Sequence, residues 1–183
     1  TRKIGLDPRR LLFRDILAAF GGRLEKIICG GAPLDPKIAA DFRSLGIEVW
    51  EGYGITECSP LIAVDVYYHS KPGSVGPTVT SCMVRIEDAV TDEDGHDIGE
   101  ICVKGKNVML GYYKDEAATA DAFTADGWFR TGDLGYLDDE GYIYITGRKK
   151  SVIVLENGKN VFPEEIEEYL ASVDKIAECV VVG

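Results

Sequence analysis

The stretch from Leu24 to Trp50, LEKIICGGAPLDPKIAADFRSLGIEVW, indicates the fold class of this 183-residue chain. Its first apolar run, 24–29, ends at two glycines and predicts a short buried strand. A helix is predicted next over 36–45, because Asp35 is a candidate N-cap and Gly46 follows the end. The apolar run 47–50 predicts a second strand. Strand–helix–strand order is typical of a parallel sheet in an α/β fold.

The segments outside this stretch predict a change of architecture along the chain. Residues 8–20 have apolar side chains at helical spacing and are followed by two glycines, so they predict a preceding helix. From 83 to 145, short alternating runs are separated by Asp92–Gly95 and Asp138–Gly141, which predict hairpins of a barrel-like antiparallel sheet. Further predicted elements are a helix over 115–123, strands over 152–155 and 161–162, a helix beginning at Pro163 and a buried strand over 176–182.

Composition and charge restrict the possible partners. The chain has 20 basic and 31 acidic side chains, a net charge of -11 and 45% hydrophobic residues. An acidic chain lacks the clustered cations that neutralise nucleic-acid phosphates, so we expect no nucleic-acid partner. Backbone N–H groups and one metal ion can still hold a nucleotide. No apolar run approaches the length of a transmembrane helix, and we expect none.

The five cysteines are scattered, odd in number and without a C-x-x-C pair, which argues against disulfide and zinc frameworks. Cys29, Cys102 and Cys179 lie in apolar runs and are interpreted as reduced core thiols. No apolar h-region follows the first residues, 1–4, and we expect a cytoplasmic protein.

Two glycine-containing segments follow predicted strands. Small residues at Gly30–Leu34 would let a flat group approach the backbone, although a plain strand-to-helix turn is the alternative. In the segment 51–57, EGYGITE, glycines flank Tyr53 and would leave one face of its ring open for stacking. Thr56 offers a hydroxyl to a phosphate, and Glu57 offers an oxygen ligand suited to magnesium. The alternative is a glycine-rich turn with a half-buried tyrosine and a solvated glutamate.

A third cluster combines Asp133, in the segment 127–134, with the run 146–150, TGRKK. Asp133 is a suitable acceptor for two ribose hydroxyls, and Arg148 can bond the same sugar or its phosphate. The alternatives are a turn-capping aspartate and a solvated cationic run.

Taken in order, these motifs resemble the adenylate-forming superfamily of acyl-CoA ligases, luciferases and peptide-synthetase adenylation domains. The segment 51–60 is most similar to bacterial long-chain fatty-acid CoA ligases. The resemblance covers nearly the whole chain and includes Gly30–Leu34, Tyr53–Glu57, Gly73–Gly76, Gly99–Tyr113, Thr131–Asp133, Gly147–Lys150 and Gly158–Glu167.

The resemblance implies that a carboxylic acid, expected to be a medium- or long-chain fatty acid, reacts with ATP to form an acyl-adenylate, which coenzyme A then converts to a thioester. It implies that Tyr53 stacks on adenine, that Thr56 contacts the α-phosphate, that Glu57 holds Mg²⁺ and that Asp133 takes the ribose with Arg148 beside it. The implied nucleotide-binding residues are Gly31, Ala32, Pro33, Glu51, Gly52, Tyr53, Gly54, Thr56, Asp133 and Arg148.

It also implies a domain division. Residues 1–146 are expected to be the C-terminal part of the large domain, with an α/β portion over 1–64 and a barrel-like portion over 73–146. Residues 147–183 would begin a small α+β domain, with Lys150 at the hinge and Gly158 in the coenzyme A tunnel. The superfamily's phosphate loop and its late catalytic lysine match no residue here, so we expect the 183-residue piece alone to be inactive.

Two other functions fit the same residues. One is an adenylation domain that loads a carrier protein, and the other is a nucleotide-binding module without turnover. Acyl chain length and oligomeric state are left open by the sequence.

Overall fold

The computed structural model describes residues 8–32, 34–66, 69–155, 160–171, 173, 175–176 and 178–183. These residues form five α-helices and nine β-strands, together with a one-turn 3₁₀ helix at Thr56–Cys58. In chain order the elements are α1 (Pro8–Leu12), α2 (Arg14–Ala19), β1 (Lys26–Gly30), α3 (Pro36–Ser44), β2 (Glu48–Gly54), β3 (Leu61–Val64), β4 (Cys82–Thr91), β5 (Asp97–Gly105), α4 (Glu116–Asp121), β6 (Phe129–Leu137), β7 (Ile143–Arg148), β8 (Ile153–Val154), β9 (Asn160–Val161) and α5 (Pro163–Ala171).

The first sheet has the order β1-β2-β3, in which β2 runs parallel to β1 and antiparallel to β3. Helix α3 connects the parallel pair as predicted, and Oδ1 of Asp35 caps it by accepting from the Lys37 N–H at 2.7 Å. Two details differ from the prediction. The helix over 8–20 is interrupted at Phe13, which leaves helical geometry. Strand β1 is not buried: it is an edge strand with one face largely uncovered, and Ile28 is 68% exposed.

Strand β2 extends further than the sequence suggested, because it continues from Glu48 to Gly54. The segment 51–54 therefore lies in a central strand rather than in a turn. Alternation along a strand places residues 49, 51 and 53 on one face. This extension fixes the direction of the Tyr53 side chain.

The second sheet is an antiparallel meander in the order β4-β5-β6-β7. It confirms the predicted hairpins around Asp92–Gly95 and Asp138–Gly141. Helix α4 lies between β5 and β6, and Oδ1 of Asp115 caps it by accepting from the Ala118 N–H at 2.9 Å.

One apolar cluster joins the two sheets. Its members from β2, β3 and the turn between them pack against members from β4 to β7, so the end of β2 faces the meander. The buried members are Tyr53, Cys58, Ile62, Ala63, Cys82, Ile101, Val103, Phe129 and Ile143.

The last part of the chain contains the β8–β9 pair and α5, as predicted. The predicted strand over 176–182 is wrong for the described residues 176 and 178–182, which belong to no strand. A strand requires a pairing partner, whereas the Val181 N–H donates to a side chain, Oε1 of Glu167, at 2.8 Å. Val180 and Val182 are 78% and 82% exposed.

All five cysteines are free, and Cys102 is fully buried as expected. Cys29 and Cys179 are only half-buried, because they lie on β1 and in the strandless C-terminal segment. Within the described ranges, no helix is both long and apolar enough to cross a membrane.

Candidate functional site

Tyr53, Asp133 and Arg148 form one connected group. The Tyr53 hydroxyl donates to Oδ2 of Asp133 at 2.6 Å. Nε of Arg148 lies 2.8 Å from Oδ1 of the same carboxylate. Asp133 is 4% exposed, whereas the Arg148 side chain is 59% exposed, so the ion pair runs from the interior to the surface.

Strand register explains this convergence. Asp133 on β6 is the direct cross-strand partner of Arg148 on β7. Thr131, two residues earlier on β6, accepts from the Asp133 N–H at 3.0 Å and donates to the Ile101 carbonyl at 2.8 Å. These bonds hold the backbone of β6 at Asp133 against β5.

Burial dominates the electrostatics of the group. It raises the pKa of Asp133, although the hydrogen bond from Tyr53 and the charge of Arg148 act in the opposite direction. Burial and the neighbouring Asp133 charge raise the pKa of Tyr53 well above its ordinary value. Tyr53 is therefore a neutral hydrogen-bond donor across the physiological pH range.

The ring of Tyr53 is closed off, which corrects the expectation of an open face. Tyr53 is 6% exposed, because its position on β2 directs the ring into the cluster between the sheets. In this structure the accessible feature at the end of β2 is the backbone and not the phenol ring.

The small-residue segment after β1 lies beside this strand end. Cys29 pairs with Glu51 and Gly30 with Gly52 in the parallel register, so Gly31 and Ala32 follow at the same edge. A Cβ at Gly30 would lie 2.9 Å from the Gly52 carbonyl oxygen, so the two backbones need a glycine to approach this closely. Pro33 lies outside the described residues.

Thr56 and Glu57 lie in the 3₁₀ turn that follows β2 and Gly54. Thr56 is exposed and Glu57 is half-buried. The Tyr112 hydroxyl donates to Oε1 of Glu57 at 3.0 Å, and the Met109 N–H donates to the Glu57 carbonyl at 2.7 Å. A half-buried carboxylate at an accessible turn is a suitable oxygen ligand for Mg²⁺.

Lys150 lies in an exposed turn just beyond β7, and Gly158 falls outside the described residues. The preceding residue, Lys149, is anchored, because its N–H donates to the Gly132 carbonyl at 2.8 Å and its Nζ lies 2.7 Å from Oε2 of Glu100.

Sequence reasoning assigned no role to Thr131, Glu100 or Tyr112. Glu100 is 4% exposed, and a guanidinium nitrogen of Arg130 donates to its Oε2 at 3.0 Å. All three residues lie inside motifs given above. The available signal for Glu100 was a charged residue directly before the apolar run Ile101–Val103 of β5. Their partners lie 30 to 55 positions away, so the contacts depend on the fold.

Comparison with known proteins adds a family match. Residues 10–113, more than half of the chain, match the family model described as AMP-binding enzyme. The long-chain-fatty-acid–CoA ligase FadD15 of Mycobacterium bovis is 42% identical over 174 residues, which are 95% of this chain and 27% of that relative. The 2-succinylbenzoate–CoA ligase of Bacillus licheniformis is 38% identical over 164 residues, which are 88% of this chain and 34% of that relative.

A solved structure gives the same architecture. The o-succinylbenzoate coenzyme A synthetase (MenE) of Bacillus subtilis, in complex with ATP and magnesium ion, aligns with a TM-score of 0.75 and 34% identity. The alignment covers 93% of this chain and 37% of that chain. The chain thus spans roughly a third of the length of the proteins that it matches.

Proposed function

The chain belongs to the AMP-binding enzyme family, and we therefore propose that the protein containing it is an ATP-dependent acyl-CoA ligase. A carboxylate is a poor electrophile, because its leaving group would be oxide. Its oxygen attacks the α-phosphate of ATP, and pyrophosphate leaves. The thiol of coenzyme A then attacks the acyl carbon of the adenylate and releases AMP together with the thiol proton.

The Tyr53–Asp133–Arg148 group is the observation that supports this proposal. Asp133 accepts the ribose hydroxyls in the proposal, since a carboxylate has about four lone-pair positions and the two bonds described leave others free. Arg148 is the partner that moves aside to admit the sugar, because its side chain is 59% exposed. Tyr53 acts through its hydroxyl, by holding Asp133, and the adenine lies against the backbone of Gly31, Ala32 and Gly52.

Glu57 holds magnesium in the proposed enzyme, and its half-buried oxygen ligand supports that role. Bound Mg²⁺ screens the repulsion between the carboxylate and the triphosphate. Thr56, one residue earlier and exposed, donates its hydroxyl to the α-phosphate.

We propose a medium- or long-chain fatty acid as the acyl substrate. The similarity to FadD15 favours it, whereas the similarity to 2-succinylbenzoate–CoA ligases favours an aromatic dicarboxylic acid as the second candidate. The division at residue 146, the hinge at Lys150 and the coenzyme A role of Gly158 belong to the same proposal. A cytoplasmic location is proposed as well, and the five free cysteines support it.

The test is carboxylate-dependent exchange of pyrophosphate into ATP, measured on the longest natural polypeptide that carries this chain. Fatty acids of graded length and 2-succinylbenzoate are compared as substrates, with coenzyme A and a phosphopantetheinylated carrier protein as acceptors. We expect exchange with a fatty acid and transfer to coenzyme A. Asp133→Asn should reduce exchange strongly, whereas the exposed-site control Asp121→Asn should not. Absence of exchange with every acid would refute the proposal.

A further inference from the structure

We propose that Tyr112 is a positioning residue, which holds the Glu57 carboxylate in the orientation that binds magnesium. The inference rests on the proposed function, since it concerns the metal of the same reaction. It adds a residue for which the sequence offered no role.

The first support is a double attachment between two distant segments. The Tyr112 hydroxyl reaches Oε1 of Glu57 across 55 positions of sequence at 3.0 Å. Three residues before Tyr112, the Met109 N–H donates to the Glu57 carbonyl at 2.7 Å. Backbone and side chain of Glu57 are thus both held by the segment 109–112.

The second support is that Tyr112 is itself fixed by α4. The Tyr112 N–H donates to Oγ1 of Thr119 at 2.9 Å, and the Thr119 hydroxyl donates to the Asp115 carbonyl at 2.7 Å. Gly111 lets the chain approach the helix, because a Cβ there would lie 2.7 Å from the Thr119 methyl group. The backbone of Tyr112 is therefore anchored to α4, which places its side chain beside Glu57.

One hydrogen bond to a carboxylate leaves lone pairs for a metal ion. A donor beyond the metal ligand fixes the ligand's orientation, and loss of such a donor typically costs about 10- to 100-fold in metal affinity or activity. Tyr112 therefore orients Glu57 while leaving it able to bind the ion.

The neighbouring Tyr113 provides a matched control. It has the same chemistry, but it is 87% exposed, and its described contact is with the Lys114 ammonium, 5.1 Å from the ring centroid. Tyr113→Phe therefore removes a hydroxyl from the same loop without touching Glu57.

The experiment compares wild type, Tyr112→Phe and Tyr113→Phe in the longest natural polypeptide that carries the chain. The Mg²⁺ dependence of pyrophosphate exchange is one readout. The other does not require turnover: Mn²⁺ binding to the protein in the presence of ATP, followed by electron paramagnetic resonance. The metal constants are the Mg²⁺ concentration that gives half-maximal exchange and the dissociation constant for Mn²⁺. We expect Tyr112→Phe to raise both metal constants about tenfold, and Tyr113→Phe to leave both unchanged.

Two outcomes would overturn the inference. One is unchanged metal constants in Tyr112→Phe, and the other is a loss of stability and turnover without a shift in either constant. Lack of exchange by wild type would instead contradict the proposed function. The Mn²⁺ binding measurement would still test the positioning role of Tyr112. Should Tyr112→Phe not fold, Thr119→Val replaces it. It removes the hydroxyl that anchors Tyr112 and should raise the constants, whereas Thr119→Ser keeps the hydroxyl and should not.

Discussion

The Tyr53 hydroxyl lies 2.6 Å from Oδ2 of Asp133, and the two residues are 80 positions apart in the chain. The bond joins the end of β2 in the parallel pair to the middle of β6 in the meander. Both residues are buried, at 6% and 4% exposure, so water does not replace the bond when it is lost. It therefore contributes to the stability of the fold as well as to the candidate site.

Tyr53→Phe should destabilise the protein by about 1.5–3 kcal/mol, because the change leaves a buried carboxylate without one of its donors. The ring and its packing are retained, so the effect isolates the hydroxyl. Urea unfolding followed by circular dichroism measures the difference. Tyr113→Phe, at an exposed position, should change stability by less than about 0.5 kcal/mol. Equal stabilities of the two variants would show that the buried bond is energetically neutral.

The local elements of the fold were predictable because their signals are local. The cap at Asp35, the hairpin at Asp92–Gly95 and the helix beginning at Pro163 each depend on residues within a few positions. The described residues of the apolar run 176–182 form no strand, and they show the limit of such signals. An apolar run forms a strand only when another strand pairs with it, and the run itself does not contain that information.

The candidate site was also predictable only as far as local sequence signals reach. Types and order of residues identified Tyr53, Asp133 and Arg148, and the fold brings these three together. The exposure of Tyr53 was predicted wrongly, because flanking glycines suggested a loop and the register with β1 and β3 instead continues the strand. The partnership between Glu57 and Tyr112 depends on how the loop before α4 packs, so the sequence alone could not predict it.

Gly76→Ala should be strongly destabilising, and Gly73→Ala only mildly so. Both glycines have positive φ, at +91° for Gly76 and +80° for Gly73, so alanine is strained at either position. A Cβ at Gly76 would lie 2.3 Å from the Val64 carbonyl, whereas nothing lies within 4 Å of one at Gly73. We expect the strain alone to lower the free energy of unfolding by about 1–2 kcal/mol. The loss at Gly76 should be clearly larger than this.

Chemical denaturation of the two alanine variants checks this pair. Because the backbone strain is similar at both positions, the difference between them measures the steric conflict with β3. Similar losses of stability at both positions would mean that the backbone around Val64 shifts to accommodate a methyl group.

The cysteines should divide into two classes of reactivity at about pH 8. Burial raises the pKa of Cys58 and of Cys102 to about 12, and burial also raises the pKa of Cys82. Because the thiolate is the reactive form, these three should resist a thiol reagent such as dithionitrobenzoate until the protein unfolds. Cys29 and Cys179 are half-buried and should react first. Peptide mapping by mass spectrometry identifies the modified residues, and early labelling of Cys102 would contradict the burial of β5.

Glu100→Gln should reduce the stability of the protein at neutral pH. It should also remove part of the decrease in stability that occurs as the pH falls. Burial alone would raise the pKa of Glu100, but the hydrogen bonds and charges of Lys149 and Arg130 outweigh burial and lower it below the ordinary value of 4.5. Between that value and the lowered one, the unfolded chain binds more protons than the folded chain, so stability falls as the pH falls. The contribution is fully present above the ordinary value.

Urea unfolding at a series of pH values tests this direction of the pH dependence of stability. At neutral pH the glutamine variant should lose about 2 kcal/mol, since a charged acceptor of two hydrogen bonds is removed. The difference from wild type should shrink as the pH falls below the ordinary pKa, because protonation of Glu100 removes the same charge from wild type. Asp121→Asn, which removes an exposed carboxylate, should show neither effect. A difference that stays constant from neutral pH into acid would mean that the ion pairs of Glu100 with Arg130 and Lys149 contribute no net stability.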